Sequence, residues 1–165
     1  EILLESEQLW RERLGDRAVV LRLAGIYGPT RTRLVRTVAD GTASASGDRF
    51  SNRIHLADCA GSLAHLLTHR APESTYLGVD HDPAPLRDVM AFIAARVDAP
   101  WPPAAAAADR ETSEPARVAR RAEGNNKRCV NTRLVASGYA FEYPSYREGY
   151  PAICDEYLAS LRDDS

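Results

Sequence analysis

The sequence predicts an α/β fold with parallel strands. Three observations carry this. Apolar runs of strand length alternate with segments of helical periodicity, in the order helix, strand, helix, strand, helix, strand, helix, before a loop-rich tail. That alternation favours a parallel sheet. Ala18-Val19-Val20-Leu21 is short and almost continuously apolar, which suits a strand buried on both faces. It runs into Gly25-Ile26-Tyr27-Gly28-Pro29, where turn residues break the pattern. Glycines lack a Cβ, so a ligand or a second backbone can approach, and open α/β sheets bind ligands at the carboxyl ends of their strands. Residues 23–29 are therefore a candidate site wall. The plainer alternative is a strand followed by an ordinary tight turn.

The elements follow in order. Ile2, Leu3, Leu9, Trp10 and Leu14 recur at near-heptad spacing, which suits a helix with one buried face. Gly15 is placed to end it. The strand spans 18–23. Leu34, Val35 and Val38 indicate a short helix that stops near Gly41, and Thr42 to Asn52 reads as loop with weak strand content. Arg53-Ile54-His55-Leu56 is a short strand. Asp58 then stands at a helix start, where a carboxylate meets free N–H groups and the positive end of the dipole. Ala60, Leu63, Ala64 and Leu67 give that helix an apolar stripe. Thr75–Val79 is a strand, 80–85 a turn, and Leu86, Val89, Met90, Ile93 and Val97 mark another helix with Pro85 near its first position. Residues 98–124, with three prolines in 100–103 and five successive alanines, show no core pattern and are expected to form a mobile loop. Asn131 can cap a short helix ended by Gly138. Phe141 to Pro144 is extended, and Ser145 and Glu148 have capping-box spacing for a final helix with Pro151 in its early turns.

The chain has 165 residues, of which 44% are hydrophobic and 27% charged, with a net charge of −2. These are the numbers of one ordinary globular unit, without the basic field that would mark a nucleic-acid or membrane-surface binder. No apolar run approaches the ~20 residues of a membrane helix, and no signal peptide is visible. Cys59, Cys129 and Cys154 are odd in number and far apart. They read as reduced thiols of a cytoplasmic protein. The chain opens on Glu1-Ile2-Leu3-Leu4, already in helical periodicity, and is expected to be a piece of a longer protein.

Several segments, in order, resemble one family. Leu21-Arg22 followed by Tyr27-Gly28-Pro29 resembles the strand and turn after the catalytic-tyrosine helix of extended short-chain dehydrogenase/reductases. Arg53-Ile54-His55-Leu56-Ala57-Asp58-Cys59-Ala60 resembles that family's Ile-His-Val-x-Asp-x-Ala segment, and Tyr76-Leu77-Gly78-Val79 its later Tyr-Asn-Val strand. Asn126-Lys127-Arg128, Arg133-Leu134, Gly138-Tyr139 and Tyr143-Pro144 resemble the C-terminal run of an atypical, NAD(P)-dependent epimerase/dehydratase-like branch.

The resemblance implies the C-terminal part of a Rossmann-like parallel sheet, interleaved with substrate-side segments over residues 1–80. A small substrate-binding subdomain would follow over 81–165. It implies an oxidoreductase that starts from hydride transfer between NAD or NADP and a sugar-like or phosphorylated substrate, with the N-terminal Rossmann half of the same protein as partner. Leu23, Ala24, Gly25 and Ile26 would border the nicotinamide, partly through backbone groups. Tyr27, Arg33, Arg53, His55, Lys127 and Arg128 would face substrate. No catalytic residue is expected here: the Gly-rich pyrophosphate loop and Tyr-x-x-x-Lys are absent, since Glu123 stands four residues before Lys127, the only lysine. Arg31, four residues after Tyr27, stays protonated and cannot replace that lysine. Tight binding of NAD(P) by this chain alone is therefore not expected.

Other constellations are weaker. His65 and His69 have a spacing that can bind metal, but no third ligand is near in sequence; two ordinary polar-face histidines are the better reading, and no metal is expected. No Gly-x-Ser-x-Gly element is present. Arg117, Arg120, Arg121, Lys127 and Arg128 form a basic cluster. It is either a site for phosphate or another polyanion or a solvated basic loop. In the first case the chain could be a non-catalytic α/β module that binds a partner through 117–128. No interleaved aromatics support single-stranded nucleic acid.

Overall fold

The computed structural model describes residues 2–43, 49–102 and 126–163. The elements are α1 (Ile2–Leu14), a 3-10 turn, β1 (Val20–Leu23), β2 (Gly25–Tyr27), α2 (Arg33–Ala39), β3 (Phe50–Ser51), β4 (Arg53–His55), α3 (Leu56–Thr68), β5 (Thr75–Gly78), β6 (Ala84–Pro85), α4 (Leu86–Arg96), α5 (Thr132–Ala136) and α6 (Tyr146–Asp163). This is the predicted mixed α/β class. Its parallel pairs are β1 with β5, where Val20 faces Thr75 and Leu23 faces Gly78, and β2 with β4. β3 and β6 form an antiparallel pair.

The main core lies between helices. Val35 and Val38 of α2 meet Val89, Met90 and Ile93 of α4 and Tyr146, Tyr150 and Ile153 of α6. The spacing that predicted α4 is the spacing that buries it. A smaller cluster joins Leu66, Tyr76 and Leu134. Pro151 lies in the early turns of α6 without ending it. At that helix start Ser145 Oγ accepts the Arg147 N–H at 3.1 Å and bonds the Glu148 carboxylate.

Three expectations are corrected. β1 is not buried on both faces: its pattern runs from half-buried Val20 and Leu21 to exposed Arg22 and Leu23, because β5 is its one partner among the described strands. The apolar side of α1 has no cover among the described residues, with Leu3 79% and Trp10 60% exposed. What α1 turns to the sheet is polar. Glu7 pairs with Arg22 at 2.7 Å, and Arg11 donates to Thr75 Oγ1 at 2.6 Å. In α3 the stripe Ala60, Leu63, Ala64 and Leu67 faces outward, with Leu67 86% exposed. Asp58, Cys59, Ser62 and Leu66 are the buried residues.

The N-terminal cap of α3 is also not Asp58. His55 occupies that position, and its Nδ1 accepts the Ala57 N–H at 3.3 Å. Asn131 does stand at the start of α5, but its amide donates across to the Val79 carbonyl at 2.8 Å instead of capping. Of the loop expected over 98–124, residues 103–124 lie outside the described residues, as do Arg117, Arg120 and Arg121.

Candidate functional site

The parallel β2–β4 pair sets the site. Gly25 is in register with Arg53, Ile26 with Ile54 and Tyr27 with His55. The glycine turn and the Arg-Ile-His strand, distant in sequence, therefore end side by side. Gly28 closes the turn with φ +148°, and a Cβ there would sit 3.0 Å from Leu56 Cβ and 3.3 Å from His55 Nε2. Only glycine allows that approach of the two segments.

Tyr27 is buried. Its hydroxyl donates to the Ser145 carbonyl at 3.2 Å, and its ring stacks on Tyr150 with centroids 4.7 Å apart. Burial, reinforced by the nearby Asp80 carboxylate, pushes its pKa far up. It stays a phenol near neutral pH.

His55 is buried between Tyr143, at 3.7 Å between ring centroids, and Tyr27 at 5.2 Å. Burial lowers its pKa against the opposing pull of the Asp58 and Glu142 carboxylates. The imidazole is thus kept neutral.

Arg53 is also interior. It donates to the Ser51 carbonyl at 3.3 Å and hydrogen-bonds the Tyr150 side chain. Its field opposes the burial that raises Asp80, whose pKa is pushed up to about 7. Asp80 Oδ1 accepts the Asp82 N–H at 3.2 Å, and Oδ2 has no hydrogen-bond partner among the described residues. A buried carboxylate oxygen without a donor is a site that favours the protonated form.

The substrate-side set is thus split in space. Tyr27, Arg53 and His55 come together, but in the interior. Arg33 is exposed on α2. Lys127 and Arg128 are exposed where their segment docks on β3 and β4. Asn52 Nδ2 donates to the Lys127 carbonyl and Asn52 Oδ1 accepts the Cys129 N–H, each at 2.8 Å. Arg128 lies 5.6 Å from the Phe50 ring centroid, within cation–π range. Asn52 and Asp80 are the positions that sequence reasoning missed. The Asn just before the Arg-Ile-His strand was the visible signal for the first.

On the cofactor side, the backbone donors expected from Ala24 and Gly25 are spent within the protein. The Ala24 N–H bonds the Gly78 carbonyl at 2.9 Å and the Gly25 N–H bonds the Asn52 carbonyl at 3.1 Å. What remains is an edge of exposed Leu23 and Gly25 with half-buried Ala24 and Ile26. The described residues include no glycine-rich loop that would hold a pyrophosphate. His65 bonds the Ser137 carbonyl and hydroxyl, each at 3.0 Å. Among the described residues no group of three metal-ligating side chains forms, and no helix is long and apolar enough to cross a membrane.

No family model matches the sequence, and no curated protein matches it. Solved structures do. A protein described as a "putative NAD-dependent epimerase/dehydratase" from Methylobacillus flagellatus is 32% identical, with a TM-score of 0.69 over 96% of this chain and 52% of that one. A conserved protein of unknown function from Silicibacter pomeroyi is 30% identical, with a TM-score of 0.66 over 92% of this chain and 52% of that one. The human epimerase family protein SDR39U1, solved with NADPH, shares the fold at 19% identity. Its TM-score is 0.57 over 83% of this chain and 48% of that one.

In fold and sequence, then, the chain is similar to part of an NAD-dependent epimerase/dehydratase-family protein, as its motifs indicated. It spans about half the length of the solved structures it matches.

Proposed function

We propose that this chain forms the C-terminal half of an NAD(P)-dependent epimerase/dehydratase-like oxidoreductase and supplies one wall of its site. The observation that carries the reading is the β2–β4 register, which sets the Leu23–Pro29 turn beside Arg53-Ile54-His55. A bound dinucleotide would supply or accept hydride. The chain's own part is to border the ring with Leu23 to Ile26 and to hold the turn in place. Tyr27 and Tyr150 anchor that turn from below. Neutral His55 fixes its approach to α3. The substrate would be a sugar-like alcohol on the side of Arg33, Lys127 and Arg128.

The partner in this reading is the N-terminal half of the same protein. Among the described residues the apolar sides of α1 and α3 are uncovered and β1 has β5 on one edge alone, and patches and edges of this kind mark surfaces that something else covers. Hydrogen exchange on the full-length protein tests the site. Saturating NADPH should slow exchange across 23–27 and leave α4 unchanged. Unaltered exchange at 23–27 would refute the assignment.

A further inference from the structure

Beyond the turn, the run Thr30-Arg31-Thr32-Arg33-Leu34-Val35-Arg36 does two things at once. Val35 is fully buried and Val38 nearly so, which seats α2 on α4 and α6. The polar residues of the same run open outward and line a cleft of about 400 Å³. Its wall carries Arg31, Arg33 and Arg36 beside the hydroxyls of Thr30 and Thr32, whereas the Thr37 hydroxyl is spent on the Arg33 carbonyl at 2.8 Å. Asp40 is the one carboxylate in that wall.

The arginines of the cleft differ from five others among the described residues. Arg22, Arg87, Arg96, Arg133 and Arg147 each pair with a carboxylate. Arg31, Arg33 and Arg36 have no ion pair among the described residues, and Asp40 is not within pairing distance of any of them. Three cations against one anion give this concavity a positive field on a chain of net charge −2. Thr30 holds φ at +67°, a costly conformation for a β-branched residue, and it stands at the rim of this cleft.

We infer that the cleft binds a phosphorylated small molecule by its phosphoryl oxygens. Guanidinium groups offer paired N–H donors that match phosphate oxygens, and threonine hydroxyls add single donors. The volume exceeds one phosphate and falls in the range of small-molecule sites. A concave, local charge suits a small ligand better than a nucleic-acid backbone, which needs an extended basic surface. The inference rests on the proposed substrate side at Arg33 but not on the cofactor side, because no cofactor-side residue lines the cleft.

The test is calorimetric titration of the full-length protein with pyrophosphate in 0.15 M NaCl, with saturating NADPH present. The wild type should bind one equivalent. Arg33→Gln and Arg36→Gln should each weaken binding tenfold or more, while Arg70→Gln, which removes the same charge elsewhere, should not. NADPH affinity should be the same in all four proteins. No binding at millimolar pyrophosphate, or equal binding by the cleft variants and the wild type, would overturn the inference. So would tighter binding of a duplex oligonucleotide than of pyrophosphate, again lost with the arginines.

Discussion

The Tyr139 hydroxyl donates to Asp58 Oδ1 at 2.8 Å, a contact across 81 residues of sequence. The same carboxylate accepts the Glu142 N–H at 2.8 Å and, through Oδ2, the Tyr143 N–H at 3.0 Å. Asp58 is fully buried on α3, so these three donors are what satisfy it. It ties the extended segment 139–143 to the helix and thereby seats Tyr143 against His55.

Asp58→Asn should therefore destabilise the fold. An amide NH2 would face an N–H donor that now meets an oxygen, and a buried unsatisfied donor costs about 1–3 kcal/mol. Urea unfolding followed by circular dichroism measures the loss. A change below about 0.5 kcal/mol, the scale of ordinary surface substitutions, would contradict this role.

Asp80 should make stability depend on pH. Its folded pKa, about 7, lies above the ordinary carboxylate value of 3.8. The folded state thus holds the proton more tightly, and the contribution of Asp80 is full below about pH 4 and lost as pH rises through 7. His55 acts in the opposite sense: its lowered pKa favours the folded state above the usual histidine range, and that contribution is lost as pH falls. The difference between wild type and Asp80→Asn isolates the first effect. In urea unfolding at pH 4, 5.5 and 7.5, the wild type should lose stability relative to the variant at each step. A difference that stays constant, or grows in favour of the wild type, would show Asp80 ionised in the fold throughout.

The uncovered apolar sides of α1 and α3 make a third prediction. Trp10→Glu and Leu67→Glu should leave the stability of the isolated chain within about 0.5 kcal/mol, since neither side chain is buried there. In the full-length protein each should cost about 2 kcal/mol or more, the scale of losing a buried large apolar side chain. Equal effects in both contexts would mean that these faces look onto solvent in the whole protein too.

How much of this was legible depended on where each residue's partner lies. α4 was readable because Val89, Met90 and Ile93 are apolar and buried by the same spacing. α3 was misread because its buried positions include Asp58 and Ser62, and the donors that satisfy Asp58 come from residues 139–143. Periodicity sees apolar residues and not distant N–H groups, so it chose the stripe ending at Leu67. α1 was assigned correctly as a helix, yet its apolar side has no cover among the described residues. The β2–β4 pair was not legible, because Gly25-Ile26-Tyr27 reads as a turn and forms a strand only beside Arg53–His55, and neither was the interior placement of Arg53: a guanidinium reads as exposed until Tyr150 and Asp80 are seen beside it. The cleft arginines were visible as a Thr-Arg-Thr-Arg run. Their lack of ion-pair partners among the described residues was visible only in three dimensions.

If these residues form one wall of a dinucleotide site whose pyrophosphate anchor lies elsewhere in the protein, this chain alone should not hold NADPH. Titrating the isolated 165-residue chain with NADPH, following nicotinamide fluorescence, tests it most directly. No saturable binding is expected in the micromolar range, and it should appear once the separately expressed N-terminal half is added. One-to-one micromolar binding by the isolated chain would contradict it and place a complete cofactor site within these residues.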